Sequence, residues 1–190
     1  MYSFPSPPCA PPSASLSTAR LTLRPYQATD QASFFTLLNQ NRERLEPAFP
    51  SRVAAVRTPA DAGRILAQFA HDWHTGRLYV FGIWHTATNA YLGDISLRPS
   101  WSTPVSAEIG YYLAAEAEGY GYAREALAAA VQFGFGETLR AGSLTLRSRR
   151  DNPRSMAVAE HVGFRPVVAR RRLLSLRTGD NDITHYRLER

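Results

Sequence analysis

The 190-residue chain contains no lysine; all 22 of its basic residues are arginine. This absence removes two kinds of chemistry, since a Walker A phosphate loop needs its lysine and a Schiff-base enzyme needs an amine side chain. Cysteine is nearly absent too. Cys9 stands alone, which allows no internal disulfide, supports no structural zinc site and fits a reducing cytoplasm. No apolar run is long enough to span a bilayer, and the first residues lack the basic and apolar regions of a secretory signal, so a soluble, untargeted protein is expected. Positive charge is in excess at net +6, but the arginines are scattered, with runs only at Arg149-Arg150 and Arg170-Arg171-Arg172. Neither a dedicated nucleic-acid surface nor a membrane partner is expected.

What is present is ordinary globular material: 44% hydrophobic and 20% charged residues, enough for one full-sized core. Residues 1–18, rich in Pro, Ser and Ala, cannot bury enough apolar surface to offset ordering entropy and are expected to form a disordered tail. Residues 19–190 are expected to form a single domain. Leu21 and Leu23 alternate with Thr22 and Arg24 as a first strand, and Asp30 caps a helix carrying Phe34, Leu37 and Leu38. A short helix around Arg42 to Phe49, broken by Pro47 and Pro50, precedes one from about Thr58 to His74. Leu78 to Trp84 and Tyr91 to Leu97 read as a hairpin, followed by a strand from Val105 to Leu113. After a helix ending at Gly134 to Gly136 come a strand over Ser143 to Arg147 and a helix opened by Asn152 and Pro153 and stopped by Gly163. Leu173 to Arg177 and Ile183 to Leu188 read as a closing hairpin. The class is mixed α and β with one sheet.

The chain is organised around Glu118 to Ala126. Val105, Ala107, Ile109, Tyr111 and Leu113 alternate along a strand, Gly119 and Gly121 break it, and Ala123, Leu127, Ala130, Val131 and Gly134 then recur at helical spacing. The first amides of a helix have no internal partner and carry the positive end of its dipole, so a phosphate is stabilised there, and glycines let it approach. A Rossmann fingerprint would need a third glycine where Arg124 stands.

Glu118-x-x-Gly121-x-Ala123 resembles the acyl-CoA loop of the GNAT superfamily of N-acyltransferases, whose pattern is Gln or Arg, two residues, Gly, one residue, then Gly or Ala. It departs from that pattern at Glu118. Asn152-x-x-Ser155-x-x-Val158-x-Glu160-x-x-Gly163-Phe164 resembles the family's second signature. Together with Ala107 to Leu113 and the opening Arg20-Leu21-Thr22-Leu23-Arg24-Pro25, these motifs resemble the branch of the ribosomal-protein N-terminal (alanine) acetyltransferases over roughly residues 20 to 190. The resemblance implies an α+β fold, a twisted, mostly antiparallel sheet with flanking helices and a splay between its fourth and fifth strands.

It also implies acetyl-CoA as the acyl donor, its thioester alongside Tyr111, Tyr112 and Leu113 and its pyrophosphate on the amides of Glu118, Gly119, Tyr120, Gly121, Tyr122, Ala123 and Arg124, with Asn152 and Ser155 beside the pantetheine arm. The acceptor would be a primary amine, a peptide N-terminus or a small molecule, and the protein a monomer or homodimer. Glu108 is the candidate base, acting through water, and Ser155 the candidate proton donor, because the position where many family members carry a tyrosine is Ala159. The departures at Glu118 and Ala159 keep open a second reading, a non-catalytic acyl-CoA-binding sensor. His71-x-x-His74 places two imidazoles on one helical face without a third ligand, so no metal is expected. Trp73, Trp84 and Trp101 are expected in the core or a pocket wall.

Overall fold

The computed structural model describes residues 14–167 and 182–190. The chain runs β1 (Leu16–Ser17), β2 (Leu21–Arg24), α1 (Gln31–Gln40), α2 (Arg42–Leu45), α3 (Pro50–Ala55), α4 (Pro59–His74), β3 (Tyr79–His85), β4 (Tyr91–Ser100), β5 (Ser106–Leu113), α5 (Tyr122–Phe135), β6 (Ser143–Arg149), α6 (Pro153–His161), β7 (Arg165–Pro166) and β8 (Ile183–Glu189). These strands form one sheet in the order β1-β2-β3-β4-β5-β6-β8-β7. Every neighbouring pair is antiparallel except β5 and β6, which are parallel and joined through α5. The expected α+β class holds.

Period-two alternation gives the sheet two different faces. Leu21, Leu23, Ile83, Ile95, Ile109 and Leu146 join a core that includes Leu127, Ala130 and Phe133 of α5. On the other face Val80 and Tyr112 pack with Phe34, Leu38, Leu45, Val53 and Leu66 of α1 to α4. Helix starts follow their capping chemistry. Thr58 and Asp61 form a capping box at α4, with Pro59 in its first turn. Asn152 accepts from the Ser155 amide at the start of α6, and Pro153 follows it.

Three expectations need correction. The helix expected around Arg42 to Phe49 ends at Leu45, and a further short helix follows it: Pro50 opens α3 in the first turn, where its missing N–H is no loss. The tail does not extend to residue 18, because Leu16 and Ser17 pair with Leu23 and Thr22, and the Thr18 hydroxyl donates to the Leu21 carbonyl and to Glu125. A two-residue strand is too short to show periodicity. β4 continues through Pro99 to Ser100, beyond the expected end at Leu97. The expected arm Leu173 to Arg177 lies outside the described residues; among these, β8 pairs with β6 and β7.

Candidate active site

β5 pairs with β6 only from Ser106 to Ile109, matched to Ser143 to Leu146. Beyond that point β5 stays with β4 up to Leu113, while β6 stays with β8 up to Arg149. The two strands therefore splay, and Gly110 to Leu113 has no strand partner on the β6 side among the described residues. An open strand edge is a row of backbone donors and acceptors ready to bind an extended group. The splay opens into a cleft of about 570 Å³, bounded by Phe49, Glu108, Tyr111, Arg147, Asn152 and Ser155.

The chain leaves β5 through a short 3-10 turn and enters α5 over two glycines with left-handed backbone, Gly119 at φ 87° and Gly121 at φ 82°. A side chain at either position would be strained, and among the described residues no atom beyond its two chain neighbours lies within 4 Å of where a Cβ on Gly119 would stand. Helical bonding begins with the Glu125 amide on the Gly121 carbonyl, and Gly121 supplies no side-chain cap. The amides from Gly119 to Arg124 consequently meet no acceptor among the described residues, and they sit at the positive end of a 14-residue helix. This is an anion cradle made of main chain.

Arginines surround it. The side chain of Glu118, the position that departs from the family pattern, is held at 2.5 Å by Arg44 and at 2.9 Å by Arg154. Its charge is thereby drawn toward two cations. Arg44 also donates to the Leu113 carbonyl and to Asn41, whose Oδ1 accepts from the Ala115 amide at 2.9 Å. The C-terminal end of α1 thus fixes the turn that launches the loop. On the other side Arg20 donates to the Tyr120 carbonyl at 2.9 Å, pairs with Glu125 and lies over the Tyr122 ring. Burial would raise the Glu125 carboxyl, but hydrogen bonds from Thr18 and Arg20 outweigh it and hold the group below its usual range. Arg124 contacts His161 of α6 at 2.9 Å.

In the cleft, Glu108 is bound to Arg147 at 2.7 Å and keeps its side chain 41% exposed. The Ser155 hydroxyl lies 3.1 Å from the Tyr111 hydroxyl. Burial pushes the Tyr111 phenol above its usual range, against the opposing hydrogen bond with Ser155, so the phenol stays protonated at neutral pH. Ala159 is fully buried and offers no acid. Tyr112, grouped with Tyr111 as a cofactor contact, turns its ring the other way, against Phe49 beneath α3; only its main chain borders the splay.

Beside Tyr112 lies a buried polar network. Asp94, 1% exposed, accepts from Arg52 at 2.6 Å and from Tyr26 at 3.2 Å, and Tyr26 shares a 2.6 Å hydrogen bond with Tyr91. Burial works against the Arg52 charge, but Asp94 more than compensates and keeps the guanidinium protonated. The hydroxyls of Tyr26, Tyr91 and Tyr112 are pushed above their usual range by burial first and by the Asp94 charge second, so all three stay neutral. The network anchors α3, and with it Phe49, as one wall of the cleft.

Sequence reasoning missed Arg44, Arg154, Asn41 and the Arg52–Asp94 pair, all of which act across sequence gaps that no local pattern reveals. Arg20 stood inside the quoted opening motif but without a role. Trp73 and Trp84 are buried in the core, and Trp101 donates to the Gly76 carbonyl. Among the described residues no group of three or more His, Cys, Asp or Glu could hold a metal ion. No helix of the described residues is long and apolar enough to cross a membrane.

Solved structures share this architecture. The ribosomal-protein-S5-alanine acetyltransferase from Vibrio fischeri superposes with a TM-score of 0.78 at 18% identity, over 93% of this chain and 97% of the other. RimJ from Mycobacterium smegmatis, in complex with a CoA-disulfide, does so at 0.76 and 22% identity, over 93% and 86%. The microcin C7 self-immunity acetyltransferase MccE, in complex with acetyl-CoA and AMP, reaches 0.78 at 20% identity, over 96% and 99%. At these identities the likeness is one of fold. No curated protein matches the chain. The family itself is shown by the sequence: the acetyltransferase (GNAT) domain matches residues 20–165, from the strand before α1 to the strand after α6, and the chain belongs to the GNAT acetyltransferase family.

Proposed function

We propose that this N-acetyltransferase carries the acetyl group of acetyl-CoA to the α-amino group of a peptide or protein N-terminus. The observation that carries the reading is the alignment of the open edge of β5, at Gly110 to Leu113, with the glycine cradle one turn later in the chain. The first suits an extended pantetheine arm and the second a pyrophosphate. Arg20, Arg44, Arg124 and Arg154 supply cations around the cradle, and Asn152 and Ser155 flank the arm. When bound, acetyl-CoA supplies an activated thioester.

Glu108 would take a proton from the incoming amine through water, its carboxylate oriented by Arg147. Ser155, backed by the Tyr111 hydroxyl, would return a proton to the departing sulfur. A free α-amine has an ordinary pKa of about 7.7 to 8.0, against about 10.4 for lysine, so it needs less help from a weak base. Neighbours that are ribosomal-protein acetyltransferases support a peptide acceptor.

The test is acetylation, read by mass, of N-terminal peptides, α-blocked peptides with an internal lysine, and small amines. The expected product is the α-acetylated peptide. Modification of lysine or small amines alone would redirect the acceptor. Buried Ala159, where many relatives carry a tyrosine, favours the sensor reading, which would gain from tight acetyl-CoA binding without any transfer.

A further inference from the structure

We propose that the acceptor is an N-terminal peptide with acidic residues directly after its α-amine, held across the strands beside Glu108; this rests on the transferase reading above. Arg98 of β4 stands opposite Glu108 of β5, Glu108 opposite Thr145 of β6, Thr145 opposite Arg187 of β8, and Arg187 opposite Arg165 of β7. Residues opposite one another share a face, so these five form one row across five neighbouring strands. The next positions toward the splay on the same face are Arg147 and its opposite His185.

This is the face whose other end is covered by α1 to α4, where Val80 and Tyr112 are buried. In the row Arg98, Arg165 and Arg187 are exposed, as is His185 beside it. The row's one carboxylate, Glu108, is bound to Arg147, and Glu189, two positions on from Arg187 along β8, pairs with Arg187. Arg98 and Arg165 have no ion pair among the described residues. The row therefore places one carboxylate suited to an ammonium between two guanidiniums, Arg98 and Arg165, that have no ion pair among the described residues and suit carboxylates.

Size separates a peptide from a small acidic amine. Four steps between strands at about 4.8 Å cover about 19 Å, the span of five or six extended residues. A single amino acid bound at Glu108 can reach Arg98, one strand away, but not Arg165, three strand steps or about 14 Å off on the other side. An N-terminal segment can set its amine at Glu108 and its side chains at Arg98 on one side or at Arg187 and Arg165 on the other. Exposed charge pairs of this kind each contribute up to about fivefold, so two or three together give about a tenfold preference or more, weakened by salt.

The experiment compares acetyl transfer to three peptides with a common first residue and Asp/Glu, Asn/Gln or Lys/Arg at positions two to five. Binding of labelled versions is followed in parallel by fluorescence anisotropy with CoA present. The expected result is at least a tenfold higher kcat/KM for the acidic peptide, carried mainly by KM and reduced by salt. The doubly substituted Arg98→Gln, Arg165→Gln protein should lose that preference, with the neutral peptide changed less than about twofold. Equal kcat/KM for acidic and neutral peptides, or equal losses on both in the variant, overturns the proposal while leaving the transferase reading intact. Free aspartate acetylated as well as the acidic peptide overturns the peptide part. If no peptide is acetylated but the acidic one alone binds, the transferase reading fails and the recognition surface stands.

Discussion

The two halves of the cleft are built from different materials. The half proposed for the donor, from Gly110 through the loop to α5 and α6, presents main chain: an open strand edge, two left-handed glycines and amides without acceptors among the described residues. The half proposed for the acceptor, from Phe49 and Arg52 across Glu108 to Arg147, presents side chains held by ion pairs that bridge distant segments. Main-chain recognition depends on backbone shape and tolerates most sequence change. Side-chain recognition can be respecified one residue at a time, as suits a fold that serves many acceptors.

The sharpest break in the donor half is Gly121→Val. It places a β-branched residue in left-handed backbone where phosphate would approach, so acetyl-CoA binding measured by calorimetry should be lost. The strain should also cost about 1–2 kcal/mol of stability. Wild-type affinity would remove the phosphate from this loop. In the acceptor half, Arg52→Leu leaves Asp94 buried without its cation, a loss of about 3–5 kcal/mol in denaturant unfolding. A change under about 1 kcal/mol would show that the tyrosine hydroxyls alone satisfy Asp94.

This difference in material also explains what could be read in advance. The strand before the loop, the loop and the capped helix at Asn152 follow from periodicity, glycine placement and capping, all local signals carried by the chain around Val105 to Gly163, whereas the splay is implied only by the resemblance of those motifs to the family. Glu118 shows the limit. Its departure from the family pattern was visible, but its answer, Arg44 and Arg154, comes from 74 and 36 residues away. The same holds for Asp94 with Arg52, and for the strand at Leu16, which exists only because β2 and Glu125 receive it.

A smaller effect is expected where the halves touch. Ser155→Ala and Tyr111→Phe each remove one hydroxyl of the pair at 3.1 Å, and should lower turnover by about tenfold with acetyl-CoA affinity nearly unchanged. A matching loss of affinity would make the pair part of the donor site instead.

The smallest effect belongs to the edge of the donor half. Thr18 and Arg20 hold the Glu125 carboxyl below its usual range. A group depressed in the folded state stabilises fully above its unfolded pKa and loses that contribution as pH falls through the folded value. Glu125→Gln should therefore lower Tm most above about pH 5 and progressively less in more acidic buffer. A gap between variant and wild type that widens on acidification would reverse the sign. Deleting residues 1–17 removes Leu16 and Ser17 from β2 and should cost a few degrees.

The central claim is that binding and chemistry are divided between the two halves, and Glu108→Gln tests it most directly when acetyl-CoA affinity and turnover are measured on the same preparation. The account predicts affinity within about twofold of wild type and turnover about a hundredfold lower, with activity recovering toward higher pH as more of the amine is already neutral. Turnover reduced less than about threefold, or a loss of affinity that matches the loss of rate, would contradict it.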